Sequence, residues 1–320
     1  PTSVGPGTSA TTGLTAVADS RGGKEDDSYF APKVTVTWTP TDTQLYYVSW
    51  AESFKPKGIS ALLAGTGAFY NTACGQPGPQ AACTDPIADF RFDQEKLDNY
   101  ELGAKTTWFD NALRLNGAVF YQDFKNKQVS TQVEDPETGL LRARDVNAGK
   151  AEVFGAEIDA TWFVNENITL GAAYTWLDTE YTEFVAFTTG VGTIAYVGNC
   201  EQVILTPTSR GCNVDYSGNE LEGAPEHAWV GNARWQANLA GATDYFVEGN
   251  VQYQSSRYAN SQNLLVFPNY SLFDFRAGIV NDTWDIVAYV DNAFDDDTVK
   301  TGFVDGDIPT FAATFRFLNK

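Results

Sequence analysis

The feature that most constrains this fold is an alternation of apolar and polar residues that recurs along the 320-residue chain. In segment 168–176, every second residue is apolar or aromatic, and the residues between them are small or polar. Segments 100–108 and 245–253 repeat the pattern. Because successive side chains of a β-strand point to opposite faces of the sheet, each segment predicts a strand with one apolar and one polar face.

The connections between predicted strands alternate between tight turns and longer polar segments. We predict eleven strands, at 29–39, 43–54, 91–109, 112–134, 139–163, 167–184, 222–239, 243–258, 268–281, 283–294 and 307–317. The tight turns are rich in Asn, Asp and Gly, as β-turns require, and lie at 40–42, 110–111, 165–166, 240–243 and 281–282. All five therefore lie at one end of the sheet. Outer-membrane β-barrels have this asymmetry, with short periplasmic turns and long external loops.

Two of the predicted strands are longer than a bilayer crossing requires. Segments 112–134 and 139–163 exceed the roughly nine to eleven residues of a transmembrane strand. We expect them to project beyond the membrane as a raised external rim. The longer connections are predicted at 55–90, 135–138, 185–221, 259–267 and 295–306.

Composition separates a membrane barrel from a helical membrane protein. Hydrophobic residues make up 43% of the chain, and no apolar run approaches the eighteen or so residues of a spanning helix. Aromatic residues make up 14%, and many Trp and Tyr residues lie near strand ends. Aromatic girdles of membrane barrels lie at such positions, although carbohydrate-binding β proteins are also rich in aromatic residues.

The charge of the chain excludes one class of partner. A formal net charge of −20 repels nucleic acid, so we predict no nucleic-acid role. Much of the acid falls in predicted loops, including 25–27 and 295–297. Solvated acidic loops explain it, and divalent-cation binding at the cell surface is the alternative.

The four cysteines form two close pairs in loops rich in Gly and Pro. Neither pair has the spacing of a zinc site, and the chain contains a single histidine, His227. We therefore predict two local disulfides in an oxidising compartment, Cys74–Cys83 and Cys200–Cys212.

Six motifs occur in series between residues 45 and 317. They are LYYVSWAESFK at 45–55, NYELGAK at 99–105, LRLNGAVFYQDF at 113–124, NAGKAEVFGAEIDA at 147–160, DNAFD at 291–295 and FAATFRF at 311–317. In order and spacing they resemble the C-terminal half of the β-barrel of a TonB-dependent outer-membrane receptor. Ala293 departs from the resemblance, because it stands where the family usually has Leu.

This resemblance implies a fold and a domain organisation. We expect an all-β, transmembrane antiparallel β-barrel, with about eleven strands of a barrel of about 22. Residues 1–28 would be an external loop or arm, 29–317 the C-terminal part of the barrel, and 318–320 a tail. The family's N-terminal plug, its TonB-contacting box and its first strands have no counterpart in this sequence, so we expect the chain to be one part of such a receptor.

The resemblance also implies a function and partners. We expect active import, across the outer membrane into the periplasm, of a scarce solute such as a siderophore, vitamin or saccharide. The expected partners are the lipid bilayer, lipopolysaccharide, TonB through the N-terminal part, the nutrient ligand and, as a further option, a surface lipoprotein.

Candidate ligand contacts are polar and aromatic residues near the loop ends of predicted strands: Phe54, Lys55, Lys57, Gln128, Gln132 and Arg144. The alternative is that they merely line the rim. Glu157 and Asp159 fall on one strand face, where carboxylates of a hydrated barrel usually line the lumen. His227 lacks the partners for a catalytic triad or a metal cluster, and its alternation with Trp229 places it on the outward face. We predict no catalytic site, cofactor or resident metal.

Two other functional classes stay open at this point. One is a structural or adhesive surface barrel that binds a partner, and the other is a soluble carbohydrate-binding β protein with a dry core. The barrel hypothesis makes a specific assignment of faces. Lipid should meet Trp108, Tyr174, Trp176, Trp235, Phe273, Phe275, Trp284, Ile286 and Val290, and the lumen should be lined by Glu248, Asn250, Arg276 and Asp285.

Overall fold

The computed structural model describes residues 28–59, 91–134, 141–147, 149–189, 201–204, 210–307 and 312–317. Every regular element in these ranges is a β-strand. Within them, no helix is long and apolar enough to cross a membrane.

Ten strands form one antiparallel sheet in which sequence neighbours are also spatial neighbours. They are β1 (Lys33–Thr41), β2 (Gln44–Lys55), β5 (Glu95–Trp108), β6 (Leu113–Lys125), β9 (Lys150–Phe163), β10 (Ile168–Glu183), β14 (His227–Ala240), β15 (Thr243–Gln254), β18 (Tyr270–Val280) and β19 (Asp285–Val290). This meander confirms the predicted all-β antiparallel architecture. In the described residues the sheet is open, and β1 and β19 are its edges.

The connections between these strands, and the segment that follows β19, carry shorter strands of their own. They are β3 (Gly58–Ile59), β4 (Arg91–Phe92), β7 (Gln128–Glu134), β8 (Leu141–Asn147), β11 (Val185–Thr189), β12 (Glu201–Ile204), β13 (Arg210–Asp215), β16 (Arg257–Tyr258), β17 (Val266–Phe267), β20 (Gly302–Asp307) and β21 (Ala312–Phe317). They pair as β3–β4, β7–β8, β11–β13–β12, β16–β17 and β20–β21.

The register confirms the predicted separation of the two faces. Directly paired residues share a face, so one continuous row joins Val48, Leu102, Val119, Ala156 and Trp176. We call this side of the main sheet the apolar face, and the opposite side the polar face. Eight of the residues predicted to meet lipid fall on the apolar face by strand parity: Trp108, Tyr174, Trp176, Trp235, Phe273, Phe275, Ile286 and Val290.

Aromatic side chains of the apolar face gather at both ends of the strands. The inner aromatic row, near the tight turns, contains Trp38, Tyr46, Trp108, Trp162, Trp235 and Tyr245. The outer aromatic row, near the long connections, contains Trp50, Tyr100, Tyr121, Phe154, Tyr174, Trp229 and Tyr253. On β9 the two rows are about 26 Å apart along the strand, or about 20 Å in height after the usual tilt. That spacing approaches the apolar band of a membrane barrel.

All five tight turns lie at one end of the sheet, as predicted, and their sequences explain their geometry. Between β5 and β6, Phe109, Asp110 and Asn111 are left-handed, with φ of 55°, 53° and 73°. Asn and Asp tolerate this conformation better than most residues. The turn before β10 is closed by the Asn165 carboxamide oxygen, which accepts hydrogen bonds from the Asn167 and Ile168 amides at 2.9 Å each.

The two long predicted strands are each interrupted where they leave the main sheet. Asn126, with φ of 52°, ends β6 before β7 begins. The Asn147 side chain donates to the carbonyls of Asn126 and Asp93, at 2.7 and 2.9 Å. These bonds satisfy the backbone at the break, so β7 and β8 form a separate two-stranded sheet. The predicted extension is present, but it does not continue the same strands.

The predicted eleventh strand is also placed differently. Residues 312–317 pair antiparallel with 302–307, which lie largely inside the predicted connection 295–306. A local hairpin therefore forms in place of an eleventh strand in the main sheet. The cysteine prediction falls mostly outside the described residues: Cys74, Cys83 and Cys200 are not among them, and only the backbone of Cys212, in β13, is described.

Candidate functional site

The polar face carries an ordered layer of hydrogen bonds at mid-height. An ion pair joins Arg234 to Glu248, with 2.9 Å between Nη1 and Oε2, and Asn250 donates to the other Glu248 oxygen at 3.1 Å. Asn116 donates to Asp159 at 3.0 Å. The face forms a shallow concave surface here, lined among others by Asp159, Asn232, Asn250, Gln252 and Asp274. Such a wall suits contact with water or with a polar occupant, and Glu157 and Asp159 belong to it rather than to an acid–base pair.

Aromatic rings on the polar face lie over glycines of the neighbouring strand. Tyr47 is the register partner of Gly103, and Phe120 is the partner of Gly155. A Cβ on Gly103 would stand 2.4 Å from Tyr47, so only glycine leaves room for that ring. The Tyr47 hydroxyl donates to Glu101, the second residue before that glycine. The rings therefore cover the wall instead of projecting from it.

Near the long connections, the polar face changes into a water-excluded apolar cluster. We call it the mouth cluster, and its buried members are Val129, Ala151, Val153, Tyr181, Phe184, Ala186, Val214, Tyr216 and Leu221. Ala151, Val153 and Tyr181 come from β9 and β10, and the others come from the connections. The long connections therefore fold over the polar face, and they cover its outer end.

Tyr181 is the most buried large side chain of the mouth cluster, with no exposed surface. Its hydroxyl donates to Glu222 at 2.6 Å, and its ring lies 4.9 Å from that of Phe184. Phe184 also contacts Tyr216, with ring centroids 5.4 Å apart. Burial raises the pKa of the Tyr216 phenol, against the opposing effect of the hydrogen bond from Gln262. The Tyr216 phenol therefore stays neutral in the cluster at ordinary pH.

Two long connections are joined directly to each other beside this cluster. Asn219 donates to the Ser261 carbonyl at 2.9 Å. The Glu220 amide donates to the Asn263 side chain at 2.8 Å, and Asn263 returns a bond to the Glu220 carbonyl at 2.9 Å. This reciprocal pair holds the 216–226 and 255–269 connections as one unit.

The predicted contacts of β2 come together with Gln128 at the same end of the sheet. The Gln128 side-chain carboxamide donates to the carbonyls of Pro56 and Asp93, at 2.8 and 3.0 Å. The backbone amide of Gln128 donates to the Glu95 carboxylate at 2.6 Å. Gln128 is buried, so its carboxamide joins two backbone segments rather than facing solvent. Phe54 lies on the apolar face by strand parity, in register with Lys96, and its ring centroid is 5.2 Å from that of Tyr29.

The other predicted contacts lie around this point. Lys55 ends β2, and the carboxamide of Gln128 lies 3.5 Å from its carbonyl oxygen. Lys57 follows in the connection to β3. Gln132 and Arg144 lie on the β7–β8 hairpin, opposite Ala143 and Thr131. Their ligand contacts remain predictions.

Sequence reasoning missed the residues that organise this end. Glu95, Asn147 and Tyr181 each join segments that are far apart in the sequence. Only Asn147 belonged to a recognised motif, the NAGKA element. His227 lies on the apolar face as predicted, stacked on Tyr174, with 2.9 Å between its Nδ1 and the tyrosine hydroxyl. No group of three or more His, Cys, Asp or Glu residues in the described segments could hold a metal ion.

Comparison with known families decides what this architecture is. The profile described as "TonB dependent receptor-like, beta-barrel" matches residues 3–293. The chain belongs to this family. Its members are β-barrels of the bacterial outer membrane, so the chain lies in that membrane, and its apolar face is the side that meets lipid.

Named relatives agree with this assignment. A protein of Acinetobacter baumannii, "Probable TonB-dependent siderophore receptor PiuA", is 23% identical over 273 residues, which are 85% of this chain and 31% of that protein. The ferric yersiniabactin uptake receptor FyuA from Yersinia pestis superimposes with a TM-score of 0.57 at 20% identity, over 89% of this chain and 35% of FyuA.

Two further solved structures share the fold. The siderophore receptor PiuA from Acinetobacter baumannii gives a TM-score of 0.55 at 18% identity, covering 90% of this chain and 33% of PiuA. The copper transporter OprC gives 0.55 at 12% identity, covering 83% and 33%. The chain therefore spans about a third of the length of the relatives it matches.

Proposed function

We propose that the receptor containing this chain binds a scarce extracellular solute, with a ferric siderophore as the first candidate, and imports it into the periplasm. The family match over residues 3–293 carries the proposal. The names of PiuA and FyuA, which refer to siderophores and to ferric yersiniabactin uptake, favour a siderophore over a vitamin or a saccharide. Coupling to TonB would come through parts of the receptor that have no counterpart in this sequence.

The proposed orientation follows from the asymmetry of the connections. The tight turns face the periplasm, and the mouth cluster and the joined connections face the cell exterior. Lipid and lipopolysaccharide would surround the apolar face. A surface lipoprotein is a proposed partner of the external connections. The soluble carbohydrate-binding alternative loses support, because its core would require the apolar face to be covered.

We propose that the open edges of the sheet are closed by other strands of the receptor. In hydrocarbon, an unpaired strand edge leaves backbone groups unsatisfied at a cost of several kcal/mol each. β1 and β19 have such edges in the described residues. Residues 29–317 would then supply the C-terminal part of the barrel, and the polar face would surround the lumen.

The proposed ligand site is the external end of the polar face, beside the mouth cluster. Lys55 and Lys57 lie where β2 reaches this end, and Gln132 and Arg144 lie on the hairpin that rises from it. Phe54 belongs to the apolar side of β2, so we leave it out of the proposed site. Lysine and arginine attract anionic chelates. Gln128 would act by positioning this group, because its side chain is bonded to backbone carbonyls.

Uptake by the whole receptor tests the proposal. We would express the receptor in an iron-starved strain that lacks its own siderophore receptors and measure import of radioactive iron from a panel of siderophores. The panel would be compared with a labelled vitamin and a labelled oligosaccharide. The Lys55→Gln/Lys57→Gln variant should raise the half-saturating concentration of the transported siderophore about tenfold, which corresponds to about 1.4 kcal/mol.

Lys125→Gln/Lys150→Gln is the matched control, because it also removes two lysine charges, but from the opposite face of the sheet. It should leave uptake unchanged. If the receptor imported only the vitamin or only the oligosaccharide, that solute would replace the siderophore as the proposed substrate. Surface display without import of any solute would favour the structural or adhesive alternative.

A further inference from the structure

Three uncharged polar side chains lie on the polar face at the external end of β15 and β18. Gln252 and Gln254 share a face because they are two residues apart, and Tyr270 is the register partner of Gln254. Tyr253, between the two glutamines, belongs to the outer aromatic row, so these three side chains are on the opposite, polar face. Tyr270 begins β18, about 34 Å along the strand from Val280 near the tight turn. We call the three residues the amide–tyrosine group.

Hydrogen bonds arrange the amide–tyrosine group around the Tyr270 hydroxyl. The hydroxyl donates to the Gln254 carboxamide oxygen at 3.1 Å and accepts a longer bond, of 3.4 Å, from the Gln252 carboxamide nitrogen. Gln252 is exposed, and Gln254 and Tyr270 are half-buried. Gln252 also lines the shallow concave surface at mid-height, so the group extends that surface towards the cell exterior.

The connection after β19 places a lysine over the same tyrosine ring. Lys300 Nζ lies 5.0 Å from the centroid of the Tyr270 ring and 3.2 Å from Asp296 Oδ1. Asp296 is itself fixed, because it accepts hydrogen bonds from the Thr298 amide at 3.0 Å and from the Ser271 amide at 3.4 Å. The Lys300 side chain nevertheless keeps 35% of its surface exposed. The ammonium group is therefore held at the ring while its side chain stays partly open to solvent.

The charges around this group disfavour a strongly anionic ligand. Asp296 neutralises Lys300, and Asp295 and Asp297 on either side of Asp296 are exposed. Arg257 adds one cation, because its guanidinium donates to the Lys300 carbonyl at 2.8 Å. Three carboxylates thus stand against two cations, so a trianionic chelate would be repelled. An uncharged chelate meets no such repulsion and finds hydrogen-bond donors in the carboxamides, the hydroxyl and the ammonium.

We propose that the amide–tyrosine group, together with Lys300, is a second contact surface for the solute and binds uncharged oxygen atoms such as those of a hydroxamate. The inference rests on the uptake function proposed above and narrows its substrate class. Hydroxamate oxygens around a ferric ion accept hydrogen bonds from carboxamide, hydroxyl and ammonium donors. Lys55 and Lys57, at the end of β2, would attract any anionic group of the same solute. The two surfaces together favour a chelate that contains hydroxamates over one built only from catecholates.

Binding to whole cells without import tests this surface. The full-length receptor would be expressed in an iron-starved strain that lacks its own siderophore receptors, and the cells would be de-energised with a protonophore. Binding of radioactive iron would be measured with an uncharged ferric trihydroxamate and with a trianionic ferric tricatecholate. The Gln254→Leu/Tyr270→Phe variant removes one carboxamide and one hydroxyl at nearly constant side-chain size. It should weaken trihydroxamate binding about tenfold and change tricatecholate binding less than about twofold.

Gln236→Leu/Tyr289→Phe is the matched control, because it removes the same two groups from the polar face nearer the tight turns. It should bind both chelates like the unchanged receptor. Heat-modifiable migration in electrophoresis reports folding, and Tyr270→Phe alone replaces the double variant if that variant does not fold. Unchanged trihydroxamate binding by the variant, equal losses for both chelates, or no trihydroxamate binding by the unchanged receptor would overturn the proposal. The uptake proposal fails separately, because it requires import into energised cells.

Discussion

The wall of the barrel and its external mouth exclude water in different ways. In the wall, the backbone hydrogen-bond partners of a strand come from the neighbouring strands. Alternate side chains of β9 and β10 belong to opposite faces of the sheet. At the mouth, Tyr181 from the same strands is buried by Phe184, Val214 and Tyr216 from the connections. The wall therefore depends on local pairing and on lipid, while the mouth depends on contacts between distant segments.

The same strand face therefore has different surroundings at different heights. The polar face of β9 carries Glu157 and Asp159 at mid-height, yet only a few residues away it contributes Ala151 and Val153 to the mouth cluster. The change occurs where the long connections begin to cover the face. Substitutions in the two regions should have separable consequences.

The largest effect is expected at the mouth. Phe184 is 1% exposed, and Phe184→Ala should destabilise the mouth cluster by about 3–5 kcal/mol through lost contacts and a residual cavity. Proteases added to intact cells should then cleave the external connections, while heat-modifiable migration of the barrel stays unchanged. Val185→Ala is the control, since Val185 is 63% exposed. Loss of barrel migration in Phe184→Ala would show that mouth and wall are not separable.

The next effect tests the wall. Ile158 lies on the apolar face, midway between Phe154 and Trp162, so Ile158→Arg should cost about 2–4 kcal/mol in the bilayer. Ala118→Arg places the same charge at a similar height on the polar face, opposite Glu157, and should be tolerated. Ile286→Arg, next to a tight turn, should cost only about 0–1 kcal/mol.

Equilibrium unfolding in lipid vesicles would rank these three wall variants. Equal costs for Ile158→Arg and Ala118→Arg would contradict the assignment of the two faces.

A smaller and local effect is expected from the cysteines. The predicted disulfides Cys74–Cys83 and Cys200–Cys212 would close loops of ten and thirteen residues, each worth about 2–3 kcal/mol in the chain-entropy model. Reduction should loosen the external connections without unfolding the wall. Mass spectrometry of non-reduced peptides would identify the pairs, and cross-pairing or free thiols would reject the prediction.

The smallest effect concerns acid stability of the connection after β19. Burial raises the pKa of Asp296, but hydrogen bonds from the Thr298 amide and the Lys300 ammonium outweigh it and lower the pKa below its ordinary value of 3.8. The ionised carboxylate therefore stabilises the fold fully above that value. The contribution is lost as the pH falls through the lower folded pKa.

Asp296→Asn should remove this pH dependence, at a cost of about 1 kcal/mol for a part-buried ion pair near the surface. Hydrogen exchange of the Ser271 and Thr298 amides between pH 3 and pH 7 would measure it. Asp297→Asn is the control, because the neighbouring side chain is exposed. Similar pH profiles for both variants would contradict the assigned role of Asp296.

The wall was predictable because its interactions are periodic and local. Alternation in 168–176 and the Asx-rich turns specified strands, faces and the end at which the chain reverses. The motifs around Gly103 and Gly155 added the family, but not the rings of Tyr47 and Phe120 that lie over those glycines. Those contacts depend on register, which becomes certain only when two strands are aligned.

An antiparallel membrane barrel with one lipid-facing side follows from the sequence alone, since a period of two and turn chemistry act within a few residues. Three further features required the folded structure. Asn126 interrupts a predicted strand, residues 312–317 pair with 302–307, and the Gln128 side chain donates to the backbone carbonyls of Pro56 and Asp93. The folded structure also revealed the mouth cluster. These features join residues that are far apart in the chain, and alternation along one strand carries no information about which distant side chain will stand opposite it.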